Sequence, residues 1–434
     1  MSNIAAFFFM VGLIVILILI RIPVSFAMAA SAVTTALIMG VPLYNLFSQG
    51  ANGLNTYSFM AVPFFLIMGQ IMSDGNISQK LIQLCNIVVG RIRGGTAIVN
   101  ILVSMLFGGI SGSAIADVSS IGSMLIPAMK EEGYDPEYAV AVTVTSSVEG
   151  VIIPPSQNMI FYCIYANAGL SITTMCVAGY LPGVLLTVCL MVPAVIIARK
   201  RQYPISERKS ARENMKTVRE ALIALFAMVI IIVGTTCGIC SATESAALAA
   251  VYCLFVSVFV YRNINLKTFW RGMLNCVSTM TMTMCAMVSV TMFRYMLGYL
   301  KVAEEMIRFL QGITSNATFL MLLIIVFIVI MGCFTDMGLL LIMLTPIVYP
   351  IAVGLGYDPY QIGIVMILAM AIGLVTPPVG NCIILGCNIA KIPAERCIKT
   401  LLPFILAMLI CDIILLLVPQ ISTFLPNLLM SMQR

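Results

Sequence analysis

The chain has no histidine among its 434 residues, a single tryptophan and only 9% charged residues. The missing histidine excludes Ser–His and Cys–His nucleophilic sites, HExxH zinc sites and histidine proton relays within this chain. So low a charge content excludes an ordinary soluble domain, where about 25% of residues are charged. Long polar stretches are missing too. The longest, about 199–220, is too short to bury a core of its own. The 14 Cys are scattered through apolar segments and are expected to be buried structural thiols.

What is present is apolar: 61% of residues are hydrophobic and the mean hydropathy is +1.09. Runs of about 18 apolar residues recur along the whole chain, as at 4–20, 221–240 and 400–420, and read as transmembrane helices. Met1-Ser2-Asn3 leads straight into the first run with no basic region, so that run is expected to be a retained span. The basic cluster Arg199, Lys200, Arg201, Arg208, Lys209, Arg212, Lys216 and Arg219 lies between two apolar segments. It reads as a cytoplasmic loop and not as a nucleic-acid surface.

An internal repeat organises the chain. Gly133-Tyr134-Asp135-Pro136 recurs 223 positions later as Gly356-Tyr357-Asp358-Pro359, and Gly109, Pro127, Gly150, Pro154-Pro155 and Asn158 meet Gly332, Pro350, Gly373, Pro377-Pro378 and Asn381. From 127 to 160, 11 of 34 positions are identical without gaps, against roughly 3 expected by chance. Crossings are expected at about 4–20, 24–44, 58–73, 136–165 and 173–198 in a first repeat, 1–198. The second repeat, 221–434, has them at about 221–240, 244–261, 273–293, 359–389 and 400–420, and the linker 199–220 joins the two. Five crossings per half make the second copy inverted relative to the first. With the linker cytoplasmic and both termini outside, the inside regions hold 19 of the 23 Lys and Arg, leaving Arg294, Lys301, Arg308 and Arg434 outside.

Two apolar segments remain, 97–129 and 317–350. Each is interrupted by a polar tip, Gly108–Ser113 and Gly332–Gly338, and each reads as a re-entrant helical hairpin, the first from the cytoplasm and the second from outside. Segments 77–90 and 299–311 read as amphipathic interfacial helices. Each hairpin precedes a helix carrying Pro-Pro in its middle. Pro154, Pro155, Pro377 and Pro378 must unwind those helices near the bilayer centre, which frees carbonyls for a cation and exposes half-helix N-termini to an anion. Gly150, Ser156 and Asn158 flank one break, and Gly373, Thr376 and Asn381 the other. Five acids fall at membrane depth: Asp117, Glu149, Glu244, Asp336 and Asp412. Such residues default to functional hypotheses. Asp336 on its tip leads, Glu149 beside the first break is a cation or proton candidate, and Glu244 at a helix start has a capping reading.

These motifs resemble a known family. Phe107–Ala114, Ile126–Met129, Gly133–Pro136, Ile153–Ser156, Thr243–Ala247, Leu344–Ile347 and Gly373–Gly380 are together similar to the large membrane subunit of TRAP (tripartite ATP-independent periplasmic) transporters, over essentially the whole chain. The resemblance implies an all-α, elevator-type, sodium-driven importer of organic anions such as C4-dicarboxylates, sialic acid or other sugar acids, in the cell inner membrane with its lipid. It implies a small four-helix membrane subunit and a periplasmic substrate-binding protein as partners, and sodium as the coupling ion with no other cofactor. It places one sodium site at Ser111, Gly112, Ser113 and Gly150, and the other at Thr335, Asp336, Gly373 and Thr376. Glu149 and Gln157-Asn158 depart from the commoner family pattern. A stand-alone sodium–dicarboxylate symporter of related two-hairpin fold is the alternative. A channel and an intramembrane aspartyl protease built on Asp117 and Asp336 are remoter, the latter lacking a GxGD motif.

Overall fold

A computed structural model describes all residues except 1–2, 56–60, 76–83, 86–93, 155, 167, 204–221, 224–225, 227–228, 232, 235–239, 314–315, 378–379 and 433–434. Among the described residues every regular element is helical. That follows from the medium. Lipid offers no hydrogen bonds to a backbone, and a helix satisfies its own. In chain order the helices are α1 (Asn3–Leu19), α2 (Val24–Met39), α3 (Leu43–Leu54), α4 (Ala61–Asp74), α5 (Gly95–Ser111), α6 (Ala114–Asp117), α7 (Ser123–Glu131), α8 (Pro136–Ser146), α9 (Glu149–Ile152), α10 (Gln157–Ala166) and α11 (Ile172–Lys200). The second half contributes α12 (Ala242–Phe255), α13 (Leu266–Tyr299), α14 (Val302–Ile313), α15 (Ala317–Gly332), α16 (Met337–Gly354), α17 (Pro359–Leu374), α18 (Asn381–Ala390), α19 (Ala394–Leu417) and α20 (Pro419–Met432). The crossing expected at 221–240 lies mostly outside the described residues. So do most of the linker 199–220 and of the 77–90 segment.

Among the described residues, five helices are long and apolar enough to cross a membrane: Ile172–Lys200, Thr243–Val260, Leu266–Tyr299, Met337–Gly354 and Ala394–Leu417. The bent pair Pro136–Ile152 and Gln157–Ala166 makes a sixth. The helices pack in two groups. In one, α13 lies against α2, α3 and α4, α12 against α4, and α1 against α2. In the other, α5 packs on α8 and α9, α15 and α16 on α17, and α11 on α19 and α20. The groups meet where α16 touches α13 and α14, where α10 touches α4 and α13, and where α4 touches α5.

Two inner helices of the second group carry no charged side chain along their enclosed stretches, and they are covered on every side. Residues Gln361–Leu374 of α17 and Tyr138–Ser146 of α8 are all buried. The polar side chain in that stretch of α17 is spent on a helix end: Gln361 Nε2 donates to the carbonyls of Leu415 and Leu416, both at 2.9 Å. The two halves are tied together by Tyr162 Oη donating to Pro359 O at 2.7 Å, Lys130 Nζ donating to Ala390 O at 2.9 Å, and an Arg396–Glu137 ion pair at 2.6 Å.

The repeated tetrapeptide folds the same way twice. Gly133 and Gly356 adopt φ of +90° and +91°, and Pro136 and Pro359 open the following helices. The acid then serves different ends. Asp358 caps α17, accepting from the amides of Tyr360 and Gln361. Asp135 instead accepts from Tyr203 Oη and pairs with Arg201 beyond the end of α11, contacts that hold its carboxyl below the usual range. Its contribution is therefore present above the ordinary carboxylate pKa and fades as pH falls. A Cβ at Gly133 or Gly356 would meet nothing within 4 Å, so only the backbone conformation resists substitution. Gly133→Ala and Gly356→Ala are each expected to destabilise by about 1 kcal/mol, read as a lowered unfolding temperature of the purified protein.

Candidate functional site

The first break begins where Pro154 forces its neighbour out of the helix. Ile153 is extended at φ −78° and ψ 123°, and the helix axis bends by 47° between Pro136–Ile152 and Gln157–Ala166. Ser156 Oγ donates to Val151 O at 2.6 Å, and Asn158 Nδ2 reaches across to Gly112 O at 3.0 Å. That second bond joins the break to the tip of the segment 97–129. Gly112, at φ +62°, ends α5, and Ser113 caps α6, accepting from the Ala116 amide. Behind the tip the backbones touch. A Cβ on Gly108 would fall 2.2 Å from Gly150 Cα, and one on Gly150 would fall 2.8 Å from Gly108 Cα. Pro155 lies outside the described residues.

The second break repeats this arrangement with other side chains. α17 ends at Leu374, and Thr376 Oγ1 donates back to Ile372 O at 2.6 Å. At the facing tip Thr335 Oγ1 donates to Met331 O at 2.8 Å, and Asp336 caps α16, accepting from the Gly338 amide at 3.0 Å. Gly380 N donates to Cys333 O at 3.4 Å, which joins break to tip as Asn158 does in the first half. Gly373 meets Gly332: a Cβ on Gly373 would fall 2.4 Å from Gly332 Cα. Asn381 is the first residue of α18, and Pro377 lies in the break; Pro378 is outside the described residues. The constant 223-residue offset pairs Gly109 with Gly332, but the residue that packs on the following helix in the first half is Gly108. The register therefore slips by one residue before Pro127.

Both sites present oxygen. A hydroxyl that donates to a carbonyl keeps its lone pairs, so Thr335 and Thr376 can still accept a cation. The Asp336 carboxylate keeps acceptor capacity beyond its single cap bond. Asp117 and Glu149 are completely buried, on α6 and α9, two helices in contact. Neither carboxylate accepts a hydrogen bond among the described residues; Ser104 Oγ pairs with Ser146 Oγ at 3.0 Å, and Thr187 Oγ1 donates to Gly183 O at 3.0 Å. Asp412 is likewise enclosed in α19 with no hydrogen bond among the described residues. Glu244 is a capping residue: it forms a capping box with Ser241, its Oε2 accepting from the Ser241 amide at 2.7 Å. The sequence places Gly108 and Cys333 within the two tips but gives them no role there, and it carries no signal at Ser104 or Thr187.

Helices interrupted at proline breaks, each facing a polar tip in an apolar bundle whose described elements are all helical, are the arrangement of a membrane transporter. Solved structures agree on the fold. The Alcanivorax borkumensis YdaH transporter superposes with a TM-score of 0.65 at 14% identity, covering 86% of this chain and 88% of that one. The Neisseria gonorrhoeae efflux pump MtrF gives 0.61 at 12% identity, covering 88% and 85%. Residues 11–421 match the tripartite ATP-independent periplasmic transporter, DctM component, and the chain belongs to that family. It is 34% identical to the uncharacterized protein YgiK of Salmonella typhimurium over 96% of both chains. It is 35% identical to the C4-dicarboxylate TRAP transporter large permease DctM of Pseudomonas aeruginosa over 86% of both. The sialic acid TRAP transporter large permease SiaM of Vibrio cholerae is 31% identical, covering 88% of this chain and 89% of its own. The chain is thus a transporter permease and not an enzyme.

Proposed function

We propose that this permease is the transport subunit of a sodium-coupled importer of small organic anions of C4-dicarboxylate, sialic acid or other sugar-acid type. The observation that carries the reading is the doubled tip–break pair, each half closed by a glycine–glycine backbone contact and lined with oxygen donors. Sodium is a hard cation and takes oxygen ligands, and half-helix N-termini attract a carboxylate. One sodium site would use Ser111, Gly112, Ser113 and Gly150, and the other Thr335, Asp336, Gly373 and Thr376. Pro154, Pro155, Ser156, Asn158, Pro377, Pro378, Asn381 and Glu149 would shape the anion's place between them.

The substrate class follows the relatives named for C4-dicarboxylate and sialic acid. The two halves act as inverted repeats with 97–129 and 317–350 as re-entrant hairpins. In an elevator motion, the group containing α5–α11 and α15–α20 moves against the group of α1–α4, α12 and α13. The protein spans the inner membrane with both termini in the periplasm, and it works with a small four-helix membrane subunit and a periplasmic binding protein. Proteoliposomes test this. Uptake of the acid that co-purifies with the binding protein is expected only when permease, small subunit and loaded binding protein are all present. Equal uptake by the permease alone contradicts the tripartite reading and favours a stand-alone symporter.

A further inference from the structure

A cavity of about 250 Å³ lies between the two groups of helices and shares no lining residue with either tip–break pair. Its walls come from four segments: the end of α10 with Ala168, the end of α13, the elbow into α14, and the second half of α16. Two cations line it. Arg294 is half-buried, and its Nη1 donates to Ala166 O at 2.8 Å, across the boundary between the groups. Lys301 is exposed at the α13–α14 elbow, held at φ +52°. One exposed acid, Glu304, stands on the same wall, so the lining keeps one net positive charge. The remainder is largely apolar: Leu297, Val302, Pro346 and Ile351.

A positive end and an apolar wall together fit a small organic acid. A guanidinium and an ammonium hold a carboxylate by charge-assisted hydrogen bonds, and the apolar wall takes the carbon skeleton. The volume falls just below the range of roughly 300–1,000 Å³ typical for drug-sized ligands, as suits a small acid. The charge pattern adds an independent argument. Cations are sparse on the outer side of membrane proteins, and two of the four that the sequence leaves outside, Arg294 and Lys301, line this one cavity.

We infer that the cavity is an outer reception site, where the carboxylate of a small organic anion is held by Arg294 and Lys301 before it reaches the tip–break pairs. The inference rests on the anion-import reading and its outside-facing α13–α14 elbow. Because Arg294 also holds α10, an anion drawing on its guanidinium competes with the contact that links the two groups.

Binding separates this site from the coupled one. The permease with its small subunit, without binding protein, is titrated in detergent with the radiolabelled acid that co-purifies with the binding protein, in sodium buffer and in choline buffer. The coupled site needs sodium, whereas the reception site is expected to bind weakly in choline. In choline, affinity should fall about threefold in Lys301→Gln and about tenfold in Lys301→Glu, and stay near wild type in Lys301→Arg. A structural role for Lys301 would not produce this ordering by charge. A Cβ at Gly298 meets nothing within 4 Å, so Gly298→Phe can fill the cavity without a clash at its Cβ and should reduce choline binding at least tenfold. Sodium-dependent binding with no binding in choline overturns the reception site and leaves the transport reading standing. Choline binding indifferent to all four variants also overturns it. Absence of binding in both buffers overturns the reception site alone, because in the tripartite reading the acid is delivered by the binding protein that this titration omits.

Discussion

Gly373→Ala is expected to lower sodium-driven uptake at least tenfold while the protein still inserts and purifies. The added Cβ would lie 2.4 Å from Gly332 Cα, 2.5 Å from Gly332 C and 2.9 Å from Cys333 N. All three are backbone atoms, so no side chain can rotate away, and the tip and the broken helix must part. Overpacking of this kind destabilises by about 1–3 kcal/mol, and 1.4 kcal/mol already corresponds to tenfold. The same displacement moves Thr335 and Asp336 relative to Thr376. Gly108→Ala, with its Cβ 2.2 Å from Gly150 Cα, should do equal harm in the first half. Gly12→Ala in α1 meets nothing within 4 Å and should transport as wild type. The check is initial uptake rate per milligram of reconstituted protein, with size-exclusion profiles showing that each variant is folded. Wild-type rates in both Gly373→Ala and Gly108→Ala would remove the two contacts from the account.

Asp336→Asn is expected to raise the sodium concentration for half-maximal uptake by about tenfold or more. Asparagine caps helices as well as aspartate does, so the start of α16 and its bond to the Gly338 amide survive the change. What disappears is the charge, and charged hydrogen bonds and contacts contribute about 1.5–3 kcal/mol. Asp336→Ala removes the cap as well and should lower expression, which separates the structural role from the ionic one. Thr335→Ala and Thr376→Ala, each removing one neutral oxygen, should shift sodium dependence less. If all three polar variants keep wild-type sodium dependence, this tip does not hold the coupling ion.

Much of this site was legible because proline and glycine constrain the backbone directly. Pro154 and Pro377 mark breaks wherever they sit in an apolar helix, and the 223-residue recurrence of Gly-Tyr-Asp-Pro points to matching turns, which fold alike at Gly133 and Gly356. Side-chain partners were less legible. Asp135 and Asp358 occupy the same repeat position, yet one pairs with Arg201 and Tyr203 while the other caps its own helix. That difference depends on where the end of α11 lies in space. The one-residue slip that brings Gly108 against Gly150 is invisible to an ungapped comparison, because only packing reveals which of two adjacent glycines faces the neighbouring helix. The complete burial of Asp117 and Glu149 on touching helices depends likewise on helix rotation. The cavity at Arg294 takes its walls from residues 166 to 351, and no local motif spans that distance.

The most direct test is uphill uptake by the complete three-component system in proteoliposomes whose ion gradients are set one at a time. An inward sodium gradient at equal pH on both sides should drive accumulation of the anion above its external concentration. An inward proton gradient without sodium should not. Accumulation that follows the pH gradient and ignores sodium would contradict the sodium-coupled account and turn attention to Glu149 and Asp117.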